Sequence, residues 1–230
     1  MKTFSLSKSL LKAASGLALA VLLCAQIPAH AQFWGGVRGS GKIVSDTREV
    51  AEFTKIRVAG SSDAFIKVGG KREVRVEADD NIVENVTTEV RDNELVIGMT
   101  RGSWSPSKMN IYITVPALKG VAVSGSGSIE VESGVQAEAL KTVISGSGNI
   151  RFKGGKAAQH DVHISGSGSV DADRLEAESV SVQISGSGNS EVFAAKSLTA
   201  SISGSGDVRY KGSPANVSKT IRGSGSVSAR

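Results

Sequence analysis

A short Gly-Ser-Gly punctuation returns six times at near-even spacing between residues 125 and 225. It falls at Gly125 and Gly127, Gly146 and Gly148, Gly166 and Gly168, Gly186 and Gly188, Gly204 and Gly206, and Gly223 and Gly225. The successive steps are 21, 20, 20, 18 and 19 residues. A near-constant period of this length is the mark of a solenoid or repeat array. A flexible Gly/Ser linker would leave its flanks unpatterned. Here apolar residues recur at every second position: Val162 and Ile164 before one motif, Val180, Val182 and Ile184 before the next, Ile150 and Phe152 after another. A period of two is a strand with one buried face. The glycines are then corners between strands, where their backbone freedom is needed.

Aligned on the corners, the repeats give columns. Val123, Ile144, Ile164, Ile184, Ile202 and Ile221 form one inward column. Ile129, Ile150, Val170, Ser190, Val208 and Val227 form a second, with Ser190 its one polar member. Val131, Phe152, Ala172, Val192, Tyr210 and Ala229 form a third. The column between the last two faces outward and reads Glu130, Arg151, Asp171, Glu191, Arg209, Ser228. Three of its contacts pair opposite charges, Glu130 with Arg151, Arg151 with Asp171, and Glu191 with Arg209; Asp171 beside Glu191 does not. The fold expected is all-β, a single-stranded β-helix or β-solenoid with coils of about 20 residues stacked ~4.8 Å apart, wound parallel and right-handed.

Residues 121–230 carry the regular repeats. Residues 32–120 read as degenerate opening coils and a cap, continuous with the stack as one domain. Gly39-Ser40-Gly41 has the motif, and Gly60 follows 21 residues later. Alternating segments lie at 73–78, 94–100 and 109–115, Asp79-Asp80-Asn81 and Asp92-Asn93 are turn signals, and 101–108 reads as an exposed loop.

Residues 1–31 read as an export signal. Lys2, Lys8 and Lys12 precede an apolar run over 17–25, and Ala29-His30-Ala31 is a cleavage pattern that leaves Gln32 as the new N-terminus. The apolar run is shorter than the ~20 residues that span a membrane. Cys24 follows Leu23 rather than the small residue that lipoprotein processing prefers, so it is read as part of the signal core. It is the only cysteine, so cleavage leaves no disulfide and no thiolate metal site. Cleavage also removes three lysines and no acid, so the formal charge falls from +5 to +2. No basic run remains to follow phosphates, which argues against nucleic acid as a partner.

Phe53-Thr54-Lys55-Ile56 before Val58-Ala59-Gly60, then Val74-Arg75-Val76-Glu77-Ala78-Asp79-Asp80-Asn81, then Leu95-Val96-Ile97 and the serial Ile-Ser-Gly-Ser-Gly repeats, resemble the bacterial family labelled putative auto-transporter adhesin, head GIN domain. The resemblance covers nearly all of 40–230. It implies an exported β-helix-like solenoid in the periplasm or at the cell surface, and it carries no catalytic residues.

The residues themselves offer little chemistry. His160 and His163 stand on a strand, where odd spacing puts them on opposite faces, so a shared metal site is disfavoured and exposed surface histidines are expected. The Gly-Ser-Gly corners lack the Lys-Ser/Thr ending and helix of a phosphate loop and the context of a nucleophile elbow. Ser128, Asn149, Ser169, Asn189, Asp207 and Ser226 follow the corners as a polar ladder. They are turn formers that bond their own backbone, or a row of hydroxyls and amides for a glycan or weak cation. Asp171 and Asp173, with Glu191 nearby, are the best acidic cluster; a polysaccharide-cutting enzyme needs two such acids ~5–10 Å apart. The expectation is an exported non-catalytic solenoid without cofactor, adhesin-like or an envelope scaffold, meeting a glycan or protein surface. A glycan-binding module and a polysaccharide-active β-helix enzyme are the alternatives.

Overall fold

The alternating apolar pattern forms strands because every second side chain finds the same column in the coil above and below. The computed structural model describes residues 36–132 and 134–230; residues 1–31, read above as an export signal, the expected cleavage residues Ala31 and Gln32, and Trp34 lie outside the described residues. The architecture is an all-β solenoid of about 5 turns with coils of about 20 residues. Neighbouring coils pair in parallel: Val135–Gly146 runs beside Gly155–Gly166, which runs beside the second half of Ser169–Gly186. Each coil has three inward runs. In one coil they are Leu140, Thr142 and Ile144, then Ile150 and Phe152, then Ala157. The alternation breaks between runs, as at the exposed pair Glu138 and Ala139.

Variation in repeat length is absorbed at the corners. Between Ser169–Gly186 and Asn189–Gly204 the register jumps from Ala172 opposite Val192 to Glu176 opposite Phe193, then from Ala177/Ala194 to Ser179/Ser197. Three residues are lost at one corner and one is gained at the next, which turns a 20-residue step into the 18-residue step. The columns on either side stay in register, so the core is uninterrupted.

The Gly-Ser-Gly corner is held by the carbonyl of the leading glycine in the neighbouring coil, which accepts the serine N–H and, in the first corners, the following glycine N–H too. The Gly125 carbonyl accepts from the N–H groups of Ser147 (2.9 Å) and Gly148 (3.0 Å), and the Gly146 carbonyl accepts from Ser167 (3.0 Å) and Gly168 (3.2 Å). The leading glycines Gly125, Gly146, Gly166, Gly186, Gly204 and Gly223 have φ between +124° and +134°. This conformation is closed to β-branched residues. The trailing glycines Gly127, Gly148, Gly168, Gly188, Gly206 and Gly225 are excluded from substitution by proximity. A Cβ on Gly168, for example, would fall inside contact distance of the Gly148 carbonyl oxygen and the Ile144 side chain.

At the N-terminal end the stacking order departs from the chain order. Lys55–Gly60 and Asp63–Val68 lie directly against Gly120–Gly125 and Ser128–Val131, so residues 69–119 are an excursion. That excursion supplies a further coil on the outer side, with Glu94–Met99 parallel to Lys55–Gly60 and Met109–Val115 parallel to Asp63–Val68. Val86–Arg91, Glu73–Asp79 and Ile43–Arg48 then close this end in antiparallel pairing. Gly39-Ser40-Gly41 is not a corner of the stack. It docks on the 79–81 turn: Asp79 Oδ1 accepts from Gly41 N (2.7 Å), Asn81 Oδ1 from Ser40 N (3.0 Å) and Asp80 Oδ1 from Ser40 Oγ (2.6 Å).

At the other end, Asn216–Gly223 is exposed along its length. Lys219 stands in the inward column above Ala200 and reaches across to the Val227 carbonyl (2.9 Å). An inward charge on an edge strand is a known device against edge-to-edge pairing.

The corner geometry sets a sharp contrast between neighbours. Ser167 N is used in the corner, but its side chain is exposed, so Ser167→Ala is expected to change stability by no more than about 0.5 kcal/mol. Gly166→Val must enter a forbidden backbone region and meet the Gly146 carbonyl, and is expected to cost more than about 2 kcal/mol. Urea denaturation of the two variants checks this; equal midpoints would contradict the corner assignment.

Candidate functional site

The polar ladder lies beside the glycine corners, where the chain enters the second run of each coil. Ser128, Asn149, Ser169, Asn189, Asp207 and Ser226 stand in register, and Asp63 and Asn110 extend the row at the capped end. In the last coils these side chains bond the next coil rather than their own backbone. Asn189 Oδ1 accepts from Asp207 N (3.0 Å), and Asp207 Oδ1 accepts from Ser226 N (2.9 Å) and Ser226 Oγ (2.6 Å). The backbone N–H groups of Asn149, Ser169 and Asn189 all bond the carbonyl of a corner glycine in the coil before, and the Asn149 and Ser169 side chains have no hydrogen-bond partner among the described residues.

Two residues along from the ladder runs the outward charged column. Arg151 bonds Asp171 (3.0 Å) and Arg209 reaches Glu191 (3.5 Å), as the alternation of signs leads one to expect. Glu130 pairs diagonally with Lys153 (2.5 Å) instead of Arg151. The like charges Asp171 and Glu191 are neighbours, and Asp173 joins them: oxygens of all three lie within 4.8 Å of one another. That spacing suits a cation or a pair of acids in glycoside chemistry. The space is already taken by basic side chains. Lys211 Nζ lies 2.6 Å and Arg230 Nη1 3.5 Å from Asp173 Oδ2, and Arg230 also pairs with Glu191. The hydrogen bond from Lys211 holds the Asp173 carboxyl below the usual carboxylate range. A general acid needs the opposite displacement.

At the capped end the column turns aromatic, a feature the sequence analysis missed. Phe65 and Tyr112 follow Glu130 in register and stack at 5.3 Å between ring centroids, and Arg75 lies 4.4 Å from the Tyr112 centroid. The loop 100–108 replaces the tight corner in this coil and overhangs the ridge. Trp104 is fixed there by a bond from Nε1 to the Thr100 carbonyl (2.9 Å) and by pairing of Trp104–Ser105 with Val37–Arg38. The loop's other foot is Ser107, whose N–H and hydroxyl both bond the buried Asp79 carboxylate (2.8 and 2.5 Å). These bonds, the Ser107 hydroxyl first, bring the Asp79 carboxyl down to about 2.

His160 corrects the expectation of surface histidines. It is 1% exposed and occupies an inward column with Leu140, Val180 and Leu198. Its Nε2 lies 2.9 Å from Thr142 Oγ1, and its ring meets the Phe152 ring edge-on at 5.7 Å. Burial pushes its pKa down to about 4. His163 faces the other way, as strand parity requires. His160 has no access to a substrate and serves the core.

The family model described as putative auto-transporter adhesin, head GIN domain, matches residues 52–214. The chain belongs to this family. The match spans the ladder from Asp63 to Asp207. A solved structure described as a putative adhesin from Bacteroides fragilis NCTC 9343 resembles this head GIN chain at a TM-score of 0.65 and 24% identity, covering 85% of this chain and 100% of that one. A putative adhesin from Parabacteroides distasonis ATCC 8503 gives 0.53 at 27% identity, with 85% and 100% covered. A structure described as a putative lipid binding protein from the same strain gives 0.53 at 23%, with 84% and 99% covered. At identities of 23–24% the likeness is one of fold. No curated protein matches the chain.

The buried histidine gives this head GIN chain a pH signature. In the folded state His160 stays neutral down to about 4, while the unfolded chain takes up that proton near 6.5. Stability is therefore complete above pH 6.5 and falls as the pH drops toward 4, by on the order of 3 kcal/mol. Most carboxylates titrate below pH 5, so the slope between 6.5 and 5 isolates the histidine. Urea midpoints measured across this window should fall for the native chain and stay level for His160→Leu; parallel slopes would contradict the buried assignment.

Proposed function

We propose that the chain is an exported, non-catalytic surface protein of the bacterial envelope, adhesin-like or a scaffold, whose solenoid holds a partner along its grooved side. Family membership and the export signal read over 1–31 support the location. The observation that carries the non-catalytic reading is the state of the best acidic cluster. Asp171, Asp173 and Glu191 are each paired with a basic side chain, and Asp173 is held ionised by Lys211. A cluster so arranged has a base but no proton donor for a leaving group. The corner serines support the same reading: they recur in every coil, whereas catalysis concentrates in one place.

Intact mass and reducing-end release test the two halves of this proposal. The exported protein should have the mass of residues 32–230; a mass that begins at an acylated Cys24 would contradict it. Incubated with purified envelope polysaccharides it should release no reducing ends, and Asp173→Asn should behave identically. Release that Asp173→Asn abolishes at unchanged thermal stability would establish an enzyme and overturn the proposal.

A further inference from the structure

Three shallow clefts on the ladder side share residues and so form one groove. The cleft under Trp104, about 920 Å³, is floored by Gly60, Asp63 and Asn110. Asp63 also opens the next cleft, about 400 Å³, which runs past Phe65, Ser128 and Asn149 to Asp171. Ser169 and Asp171 in turn open the third, about 350 Å³, which ends at Asp207 and Arg209. The floor is a register of seven rungs: Asn110, Asp63, Ser128, Asn149, Ser169, Asn189 and Asp207. Six steps at the ~4.8 Å strand spacing make a track of about 29 Å.

The chemistry of the two walls selects the occupant. Acids and bases of the outward column are already spent on one another: Glu130 on Lys153, Arg151 on Asp171, Arg209 on Glu191. A polyanion would find no free cation row, and a polycation no free acid row. The central rungs offer the reverse situation. Ser128, Asn149 and Ser169 have, among the described residues, no side-chain partner in the protein, and they present hydroxyl and carboxamide groups that both donate and accept. Uncharged donors and acceptors in a row suit a polyhydroxyl chain. Aromatic surfaces stand at one end: Phe65 closes the middle cleft and Trp104 overhangs the first. Such faces pack on the apolar side of a sugar ring while polar groups hold its edge.

The rung sequence adds a length. Ser128, Asn149, Ser169 and Asn189 alternate, so the chemical repeat is two rungs, about 9.6 Å. An extended β-1,4-linked glycan also repeats every two sugars, because successive rings are flipped, and its disaccharide is of comparable length. We propose that the groove from Trp104 to Arg209 binds an extended, uncharged β-1,4-linked polysaccharide strand, anchored at the aromatic end. The proposal rests on the non-catalytic reading above, in that the strand is held and not cut.

Calorimetric titration of the purified protein with cellohexaose, chitohexaose, laminarihexaose and polygalacturonate tests it. At least one of the two β-1,4 hexasaccharides should bind, and more tightly than the β-1,3-linked laminarihexaose or the charged polygalacturonate. Asn149→Ala, an exposed change on the floor, and Trp104→Ala should each weaken that binding at least fivefold. Lys156→Ala, on a different run of the coil, should leave it unchanged. A thermal melt of each variant shows that the fold is retained. Failure of both β-1,4 hexasaccharides to bind, a preference for polygalacturonate, or binding indifferent to Asn149→Ala and Trp104→Ala would overturn the groove. Cleavage of a bound hexasaccharide is read separately by mass spectrometry; it would sink the non-catalytic reading while leaving the groove in place.

Discussion

The whole structure depends on one recurring acceptor, the carbonyl of the leading corner glycine, which takes the serine N–H of the next coil and, on Gly125 and Gly146, the following glycine N–H as well. Ser147 and Gly148 both bond the Gly125 carbonyl, and Ser167 and Gly168 repeat the arrangement on Gly146. The pairing works only if the leading residue has a positive φ and the trailing residue carries no Cβ, and so both are glycine in every regular coil. It also fixes the register. With the corner pinned, Ile144, Ile164 and Ile184 must stack on one another, and so must the ladder and the charged column outside. A one-residue slip would turn each apolar set outward. The glycines therefore spare the fold disulfides, whose place is taken by pairing repeated coil after coil.

The corner rule is relaxed at one end of the stack. In the outer coil of the capped end the tight corner gives way to the loop 100–108, which hangs Trp104 over the ridge. Besides the pairing with Val37–Arg38, the loop is held by the buried Asp79, which bonds Ser107 at its foot and Gly41 of the docking segment. A regular stack thus supplies the long, evenly spaced floor, and one irregular coil supplies the aromatic end. The paired charges alongside contribute little to stability, each worth about 0–1 kcal/mol.

Much of this was legible because the repeat lets each column be read against its neighbours. The inward columns from Val123 and Ile129, the Arg151–Asp171 and Arg209–Glu191 pairs and the exposed character of the ladder followed from alignment alone; Ile221 keeps its register but is 41% exposed, because no further coil covers the last strand. His160 could have been placed by the same means, since it aligns with Leu140 and Val180; judged as an isolated histidine it was assigned to the surface. Phe65 aligns with the charged column once residues 58–67 are laid on the repeats. Tyr112 and Asn110 were beyond reach, because their coil is built from the excursion 69–119 and stacks on the far side of Lys55–Gly60. Chain order gives no hint of that inversion. Nor does sequence spacing bring Gly39-Ser40-Gly41, which reads as a corner motif, to the turn at Asp79, a long-range contact.

The central claim is that the Gly-Ser-Gly segments are hydrogen-bonded rungs of the stack and not flexible connectors. Amide hydrogen exchange at single residues measures this directly. Ser167 N and Gly168 N should exchange as slowly as the neighbouring strand amides of Ile164 and Val170, near the rate set by global opening, although the corner lies at the surface. Exchange of Ser167 and Gly168 at the rate of an open chain, with Ile164 still protected, would contradict the account.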